Sequence, residues 1–171
     1  MGISMITVIT GNGKGKTTSA LGNAMSAAMS GKRVYVGQFM KAGDYSEIAM
    51  LKSAFPEITV EQYDGSMVIN REAKDIDHLT AQDGLQRAQA AIATGNYDLV
   101  VLDEFNIVTY LNLISMEQAM ELIDNRGGAD LILTGRYAAD EIVAKADKAY
   151  EMRQIKHYFN DGVPARIGIE M

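Results

Sequence analysis

Residues 5–18, MITVITGNGKGKTT, join an apolar run to a segment rich in glycine and lysine that ends in two threonines. The β-branched residues of the run are typical of a strand that is buried on both faces. After Thr17, alanine, leucine and methionine recur at helical spacing as far as Gly31, which predicts a helix. A strand, a glycine-rich turn and a helix in this order predict a phosphate-binding loop, because backbone N–H groups and a helix N-terminus attract anions.

The loop departs from the usual phosphate-loop pattern at two positions. The pattern has a glycine where Thr10 stands, and Lys14 adds a lysine two residues before the expected Lys16. In that pattern the lysine at position 16 reaches the phosphates, and the hydroxyl of Thr17 binds Mg²⁺. The alternative is a flexible hairpin rich in glycine and lysine, which the flanking strand and helix disfavour.

The composition limits the partners and the chemistry. The chain has 171 residues, 47% of them hydrophobic, which fits a single domain over residues 1–171. Its net charge of −6 argues against nucleic acid as the main partner, since binding to a phosphate backbone relies on clustered lysine and arginine. The absence of cysteine excludes disulfides and thiol nucleophiles. Neither a signal peptide nor a membrane span is recognisable, so we expect a soluble, cytoplasmic protein with no membrane partner.

Strand-like and helix-like segments alternate along the rest of the chain. They are predicted in the order strand 33–39, helix 46–54, strand 57–63, helix 72–94, strand 97–104, helix 115–125, strand 129–135 and helix 138–146. Two further extended pieces are expected near 149–153 and 165–170. Ser115 is expected to cap its helix, with Gln118 at the capping-box position. The alternation predicts an α/β fold with a mostly parallel sheet flanked by helices.

Charged side chains follow two of these strands. Asp103 and Glu104 end DLVVLDE, residues 98–104, and Arg136 follows ADLILTG, residues 129–135. Ligands of open α/β sheets bind at the carboxyl ends of the strands, and carboxylates are hard oxygen ligands that suit Mg²⁺. With the loop, the two acids predict a magnesium–nucleotide site. For Arg136 two alternatives stay open, contact with a phosphate or ribose and a surface salt bridge.

Six motifs occur in a characteristic order. They are TGNGKGKTT (10–18), VGQFMKAG (36–43), NREA (70–73), VVLDE (100–104), LTGR (133–136) and EMRQIKHYFNDGVPARIGIE (151–170). In this order they resemble the corrinoid adenosyltransferases of the cobalamin pathway, the family of ATP:cob(I)alamin adenosyltransferases with a phosphate-loop fold. The resemblance covers nearly the whole chain, and it includes the missing first glycine of the loop.

The resemblance implies a three-layer, RecA-like phosphate-loop fold and a reaction at the ribose end of ATP. In this family the Co(I) of a reduced corrinoid such as cob(I)alamin attacks the 5′ carbon of ATP, the adenosyl group moves to cobalt, and triphosphate leaves. The resemblance also implies Mg²⁺ or Mn²⁺ as cofactor, a flavoprotein as reductant and a homodimer. A Co(I) nucleophile has no proton to lose, so the reaction requires no general base.

Positions that match the family's motifs define the expected site. The resemblance implies that Thr17 and Glu104 serve the metal ion, and Asp103, at the end of its strand, is a further expected ligand. Lys14, Lys16 and Glu104 are expected to be catalytic. The residues expected to bind the nucleotide are Thr10, Gly11, Asn12, Gly13, Lys14, Gly15, Lys16, Thr17, Thr18 and Arg136.

Two other functions share these features. An ATPase or small-molecule kinase would use the same Lys16, Thr17 and Asp103, and a nucleotide-dependent switch or corrinoid carrier would bind without turnover. The chain also departs from the family in YDGSMVINREA, residues 63–73, where members with a well-defined corrinoid site have bulky aromatic residues that displace the lower axial ligand. Tyr63 and Met67 are the residues of this stretch that could substitute for those aromatics.

Overall fold

The computed structural model of the chain describes residues 4–41, 43, 46–63, 72–156 and 162. Within these ranges strands and helices alternate as the sequence predicts. The strands are β1 (Ile6–Thr10), β2 (Val34–Gln38), β3 (Ile58–Gln62), β4 (Leu99–Asp103), β5 (Asp130–Thr134) and β6 (Lys148–Glu151). The helices are α1 (Lys16–Met29), α2 (Ser46–Ala54), α3 (Asp75–Ala93), α4 (Phe105–Tyr110), α5 (Met116–Asp124) and α6 (Asp140–Lys145). The extended piece expected near 165–170 lies outside the described residues.

The six strands form one sheet in the order β3-β2-β4-β5-β1-β6, and each pairing within it is parallel. The predicted α/β fold is therefore confirmed, and β3 is an edge strand as its alternating sequence indicates. Since all strands point the same way, their carboxyl ends lie along one edge of the sheet. There the register pairs Gln38 with Asp103 and Ile9 with Thr134.

Helices cover both faces of the sheet, so the fold has three layers. Successive residues of β4 alternate between the two cores, because side chains of a strand point to opposite faces. Leu99 and Val101 lie in the core formed with α1 and α2, whereas Val100 and Leu102 lie in the core formed with α3, α4, α5 and α6. All five residues of β4 are buried, so Asp103 is a buried residue at the carboxyl end of a central strand. None of the described helices is both long enough and apolar enough to span a bilayer.

The capping-box prediction for α5 is confirmed. The hydroxyl of Ser115 accepts from the backbone N–H of Gln118 at 3.2 Å, and the side chain of Gln118 accepts from the backbone N–H of Ser115 at 3.0 Å. Helix α4 was not predicted, because FNIVTY is rich in β-branched and aromatic residues with low helix propensity. Five of its six residues are buried, so tertiary packing holds this helix.

The structure corrects the expectation for Tyr63. Its ring is 1% exposed and packs edge-on against Phe39, with the ring centroids 4.8 Å apart. Its hydroxyl lies 2.5 Å from that of Tyr35, and a Cβ at Gly37 or Gly84 would collide with its side chain. Tyr63 is therefore a core residue that is packed between the sheet and α3, and its side chain is too buried to contact a ligand. Met67 lies outside the described residues.

Candidate active site

The phosphate loop ends at Gly15, whose φ of 112° is left-handed and strained for any residue with a Cβ. This conformation turns the chain sharply into α1, so that Lys16 is the first helical residue. The side chain of Lys16 is largely buried, and its Nζ donates to the carbonyl oxygen of Gly13 at 2.7 Å. The lysine thus lies back over the loop, and its contact with phosphates stays a prediction.

Gly11 and Gly13 have a structural role that the sequence did not reveal. Met152 and Arg153, the first residues of the tail segment (152–156), lie beside the loop. The N–H of Gly13 donates to the carbonyl of Met152 at 2.7 Å, and the N–H of Met152 donates to Thr10 O at 2.8 Å. A Cβ at Gly11 would lie 2.4 Å from the Met152 oxygen, and one at Gly13 would lie 2.8 Å from the same atom. These two glycines are therefore needed for the close approach of the tail segment.

Thr10 is accommodated at the position of the usual first glycine because its side chain has a partner. Its hydroxyl oxygen accepts from the backbone N–H of Ala138 at 3.2 Å, which connects the end of β1 to the loop between β5 and α6. The hydroxyl thus stabilises the neighbouring loop. Its expected contact with the nucleotide stays a prediction.

Asp103 is the centre of a hydrogen-bonded group that we call the Asp103 cluster. Oδ1 accepts from Thr17 Oγ1 at 2.9 Å and from Thr134 Oγ1 at 2.6 Å. Oδ2 accepts from Gln38 Nε2 at 2.9 Å and from Lys41 Nζ at 2.6 Å. Burial alone would raise the pKa of this carboxyl, but the charge of Lys41 and the hydrogen bonds hold it below its ordinary value. Asp103 is therefore a fully buried carboxylate that stays ionised.

Gln38, Lys41 and Thr134 were not predicted as site residues. Each lies at or just beyond the carboxyl end of β2 or β5, the strands that flank β4. The signal was present in the motifs VGQFMKAG and LTGR, which contain these residues. Polar residues at the carboxyl ends of neighbouring parallel strands meet at the same edge of the sheet. This rule would have predicted that these three side chains lie near Asp103.

Glu104 lies next to this cluster with a backbone φ of 60°, at the residue that precedes α4. Its backbone N–H donates to Thr134 Oγ1 at 3.1 Å, which helps to hold the left-handed turn. Burial raises the pKa of the Glu104 carboxyl, and the charge of Asp103 acts in the same direction, against the opposing effect of Lys41, Lys16 and Arg136. The left-handed turn thus places a second carboxyl among the basic residues of the site.

The charges of Lys16, Glu104 and Arg136 influence one another. Burial lowers the pKa of the Lys16 ammonium; the charges of Glu104 and Asp103 oppose this effect, and those of Arg136 and Lys41 add to it. Arg136 is exposed but close enough to act on both Lys16 and Glu104. Asn12, Lys14 and Thr18 are exposed on the loop and the first turn of α1. The predicted residues therefore lie together at the carboxyl edge of the sheet.

A family model described as "ATP:corrinoid adenosyltransferase BtuR/CobO/CobP" matches residues 3–171. The chain belongs to this corrinoid adenosyltransferase family. It is 33% identical over 168 residues to the corrinoid adenosyltransferase of Escherichia coli K12, and 35% identical over 169 residues to corrinoid adenosyltransferase CobA of Salmonella typhimurium. Each alignment covers 97% of this chain and 85% of the relative.

The fold of this corrinoid adenosyltransferase family member also resembles a solved structure. A KaiC-like protein of Pyrococcus horikoshii OT3 matches with a TM-score of 0.57 over 90% of this chain and 74% of that protein, at 17% sequence identity. The likeness concerns the fold alone, and it confirms the expected RecA-like arrangement.

The donor set of the site suits a cation that shares its ligands with a nucleotide. Within the described part of the chain, no group of three or more His, Cys, Asp or Glu side chains is arranged to hold a metal ion. Mg²⁺ in nucleotide sites commonly uses one or two carboxylates together with substrate phosphates, and Thr17, Asp103 and Glu104 can supply the protein ligands. The ammonium of Lys41 lies between Thr17 and Asp103, which shows that this position accepts positive charge.

Proposed function

We propose that this member of the family transfers the 5′-deoxyadenosyl group of ATP to the Co(I) of cobalamin or a precursor corrinoid. In this reaction Co(I) supplies an electron pair to the 5′ carbon, a Co–C bond forms, the C–O bond to the triphosphate breaks, and the triphosphate leaves with the bonding electrons. The observation that supports it most strongly is the meeting of the phosphate loop, Lys16 and the acidic residues at one edge of the sheet, in a chain of this family.

The loop would act on the leaving group. Negative charge grows on the triphosphate as the C–O bond breaks, and preorganised donors and cations lower the energy of that charge. Lys16 at the start of α1 and Lys14 on the exposed side of the loop would supply positive charge, and the N-terminus of a 14-residue helix would add to it. Arg136 would contact the phosphates or the ribose.

Mg²⁺ or Mn²⁺ would be held by Thr17 and Glu104, with Asp103 as a direct or water-mediated partner. When bound, the ion would supply charge neutralisation for the triphosphate. The protein side chains would orient it, because Thr17 and Asp103 are already joined by a hydrogen bond of 2.9 Å.

The finer features of the proposal follow the family resemblance. We propose that residues 1–171 form one phosphate-loop domain, that the enzyme works as a cytoplasmic homodimer, and that a flavoprotein reduces the corrinoid. No general base is needed for a Co(I) nucleophile. His78 is an exposed residue of α3, and it has no part in the proposed reaction.

The direct test is incubation of the protein with MgATP and chemically reduced cobalamin. We expect adenosylcobalamin and triphosphate in equal amounts, with adenosylcobalamin followed by its absorbance and light sensitivity and triphosphate by anion-exchange chromatography. Formation of ADP and phosphate without adenosylcobalamin would instead identify an ATPase or kinase. ATP binding without any product would identify a non-catalytic switch.

A further inference from the structure

We propose that Lys41 is a positioning residue that occupies the divalent-cation position in the nucleotide-free protein and leaves it when a metal–nucleotide complex binds. The proposal deepens the proposed function, since it concerns the same site. The test uses the protein without ATP or corrinoid, so its result does not depend on whether the protein transfers adenosyl groups.

The geometry places one ammonium between two expected metal ligands. Lys41 Nζ donates to Asp103 Oδ2 at 2.6 Å and to Thr17 Oγ1 at 3.1 Å. Its side chain is only 17% exposed, so the ammonium is held inside the site, away from bulk water. Thr17 at the same time donates its proton to Asp103 Oδ1. The three groups form a closed triangle of hydrogen bonds with a cation at one corner.

Asp103 has no acceptor position left for an added cation. A carboxylate offers about four lone-pair sites, and Asp103 accepts from four side chains: Thr17, Gln38, Lys41 and Thr134. Gln38 accepts a hydrogen bond from Gln62, and Thr134 accepts one from the backbone N–H of Glu104. These additional bonds hold both donors in place. Lys41 also donates to Thr17, which is itself an expected metal ligand, and of the donors to Asp103 it alone is a cation. It is therefore the donor that a metal ion would replace.

A divalent ion and the Lys41 ammonium cannot share this position. Mg²⁺ binds oxygen ligands at about 2.0–2.1 Å, so an ion bound to both Thr17 Oγ1 and Asp103 Oδ2 would lie within contact distance of the ammonium. The two positive charges would repel each other in a poorly hydrated site. The lysine has a flexible four-carbon stem. Rotation of this side chain would move the ammonium away from Asp103 and toward an incoming triphosphate.

This exchange explains how the site tolerates a buried carboxylate before the nucleotide arrives. Without a cation, Asp103 would carry an uncompensated charge at the end of a central strand, which is strongly unfavourable. Lys41 pairs with this carboxylate at 2.6 Å and would compete with a metal ion that arrives without its nucleotide. We expect a metal ion to bind well only together with phosphates, which attract both the ion and the released ammonium.

The test is the affinity of the nucleotide-free protein for Mn²⁺, measured from the EPR signal of free Mn²⁺, for wild type and Lys41→Met. We expect Lys41→Met to bind Mn²⁺ at least about tenfold more tightly, because removal of the competing ammonium opens Asp103 and Thr17 to the ion. Lys41→Arg keeps a cation and is expected to stay as weak as wild type. Thermal melts of each variant establish that it is folded.

Lys32→Met is the matched control, since it removes the same charge at the opposite edge of the sheet, where Lys32 lies 3.9 Å from Asp130. We expect its Mn²⁺ affinity to equal that of wild type. Equal affinity in folded Lys41→Met and wild type would overturn the proposal. An equal gain in both methionine variants would also overturn it, because the gain would then come from net charge. If Lys41→Met does not fold, the proposal is tested with Lys41→Arg alone. Mn²⁺ binding to Lys41→Arg that is tighter than to wild type would overturn the proposal, because the arginine keeps the positive charge that is proposed to compete with the ion.

Discussion

The backbone N–H of Gly13 donates to the carbonyl of Met152 at 2.7 Å, a contact between the first loop of the chain and the segment after its last described strand. A second bond, from Met152 N–H to Thr10 O, extends the pairing of β1 with β6 along the phosphate loop. The loop is thus held on one side by α1 and on the other by the tail segment. A loop that is held on both sides in this way is preorganised.

Gly13→Ala should destabilise the protein because the new Cβ would lie 2.8 Å from backbone atoms of Met152 and Arg153. Overpacking against backbone costs about 1–3 kcal/mol, and we expect a loss of that size in the free energy of unfolding measured by urea denaturation. Gly22→Ala is the control, since nothing lies within 4 Å of its Cβ in the interior of α1. It should stabilise by about 0.5–1 kcal/mol. A Gly13→Ala variant as stable as wild type would show that the tail segment moves aside easily.

Thr10→Gly restores the usual loop pattern but should lower the free energy of unfolding. It removes the hydroxyl that accepts from Ala138 N–H, and a lost hydrogen bond of this kind costs about 1 kcal/mol. Thr10→Ser keeps the hydroxyl and loses only a methyl group, so it should be clearly more stable than Thr10→Gly. Urea denaturation of the pair measures this difference, and equal losses in both variants would count against the hydrogen bond.

Lys16→Ala should reduce turnover strongly, because it removes the cation that we propose stabilises charge on the leaving triphosphate. Loss of one such group typically costs about 10²–10³ in rate, and adenosylcobalamin formation under reducing conditions measures it. Lys32→Ala removes a lysine at the opposite edge of the sheet and should leave turnover unchanged. Turnover of Lys16→Ala close to that of wild type would refute the role of this lysine.

Asp103→Asn should destabilise the metal-free protein by about 3–5 kcal/mol, since it leaves Lys41 without its buried partner. The folded pKa of Asp103 lies below its unfolded value, so the ionised carboxylate contributes stability above the unfolded pKa. That contribution is lost as pH falls through the folded pKa. Denaturation measured from neutral to acidic pH should show this loss in wild type, and the part due to Asp103 should be missing in the variant.

Asp83→Asn serves as the control for this measurement. Asp83 pairs with Arg87 one turn away on the exposed face of α3, at 3.6 Å, and such pairs contribute about 0.3–0.5 kcal/mol. The control should therefore have nearly the stability and the acid sensitivity of wild type. A similar cost for both substitutions would mean that the buried ion pair of Asp103 adds little.

Tyr63→Phe should lower stability and leave corrinoid turnover unchanged, because Tyr63 is a core residue. The variant loses the contact between the hydroxyls of Tyr63 and Tyr35, while Tyr35 keeps Glu61 as acceptor at 3.1 Å. We expect a cost of about 1 kcal/mol in the free energy of unfolding. Tyr150→Phe, on exposed β6, should cost nothing measurable. A raised KM for the corrinoid in Tyr63→Phe would return Tyr63 to the substrate site.

Much of the candidate site could be predicted because its signals are local. The strand, glycine turn and helix around Lys16 need only a short window of sequence, and Asp103 and Glu104 stand at the end of the most apolar strand. Helix α4 could not be predicted, since its β-branched residues favour a strand and only burial against the sheet makes them helical.

The sequence by itself determined the alternation of strands and helices, the position of the phosphate loop and the family, because hydrophobic period, glycine spacing and motif order are properties of the linear chain. The tertiary structure decided which distant residues meet. The strand order β3-β2-β4-β5-β1-β6 brings Lys41, Asp103 and Thr134 together and lays Met152 beside Gly13. No local pattern specifies that order, since it results from packing both faces of the sheet at once.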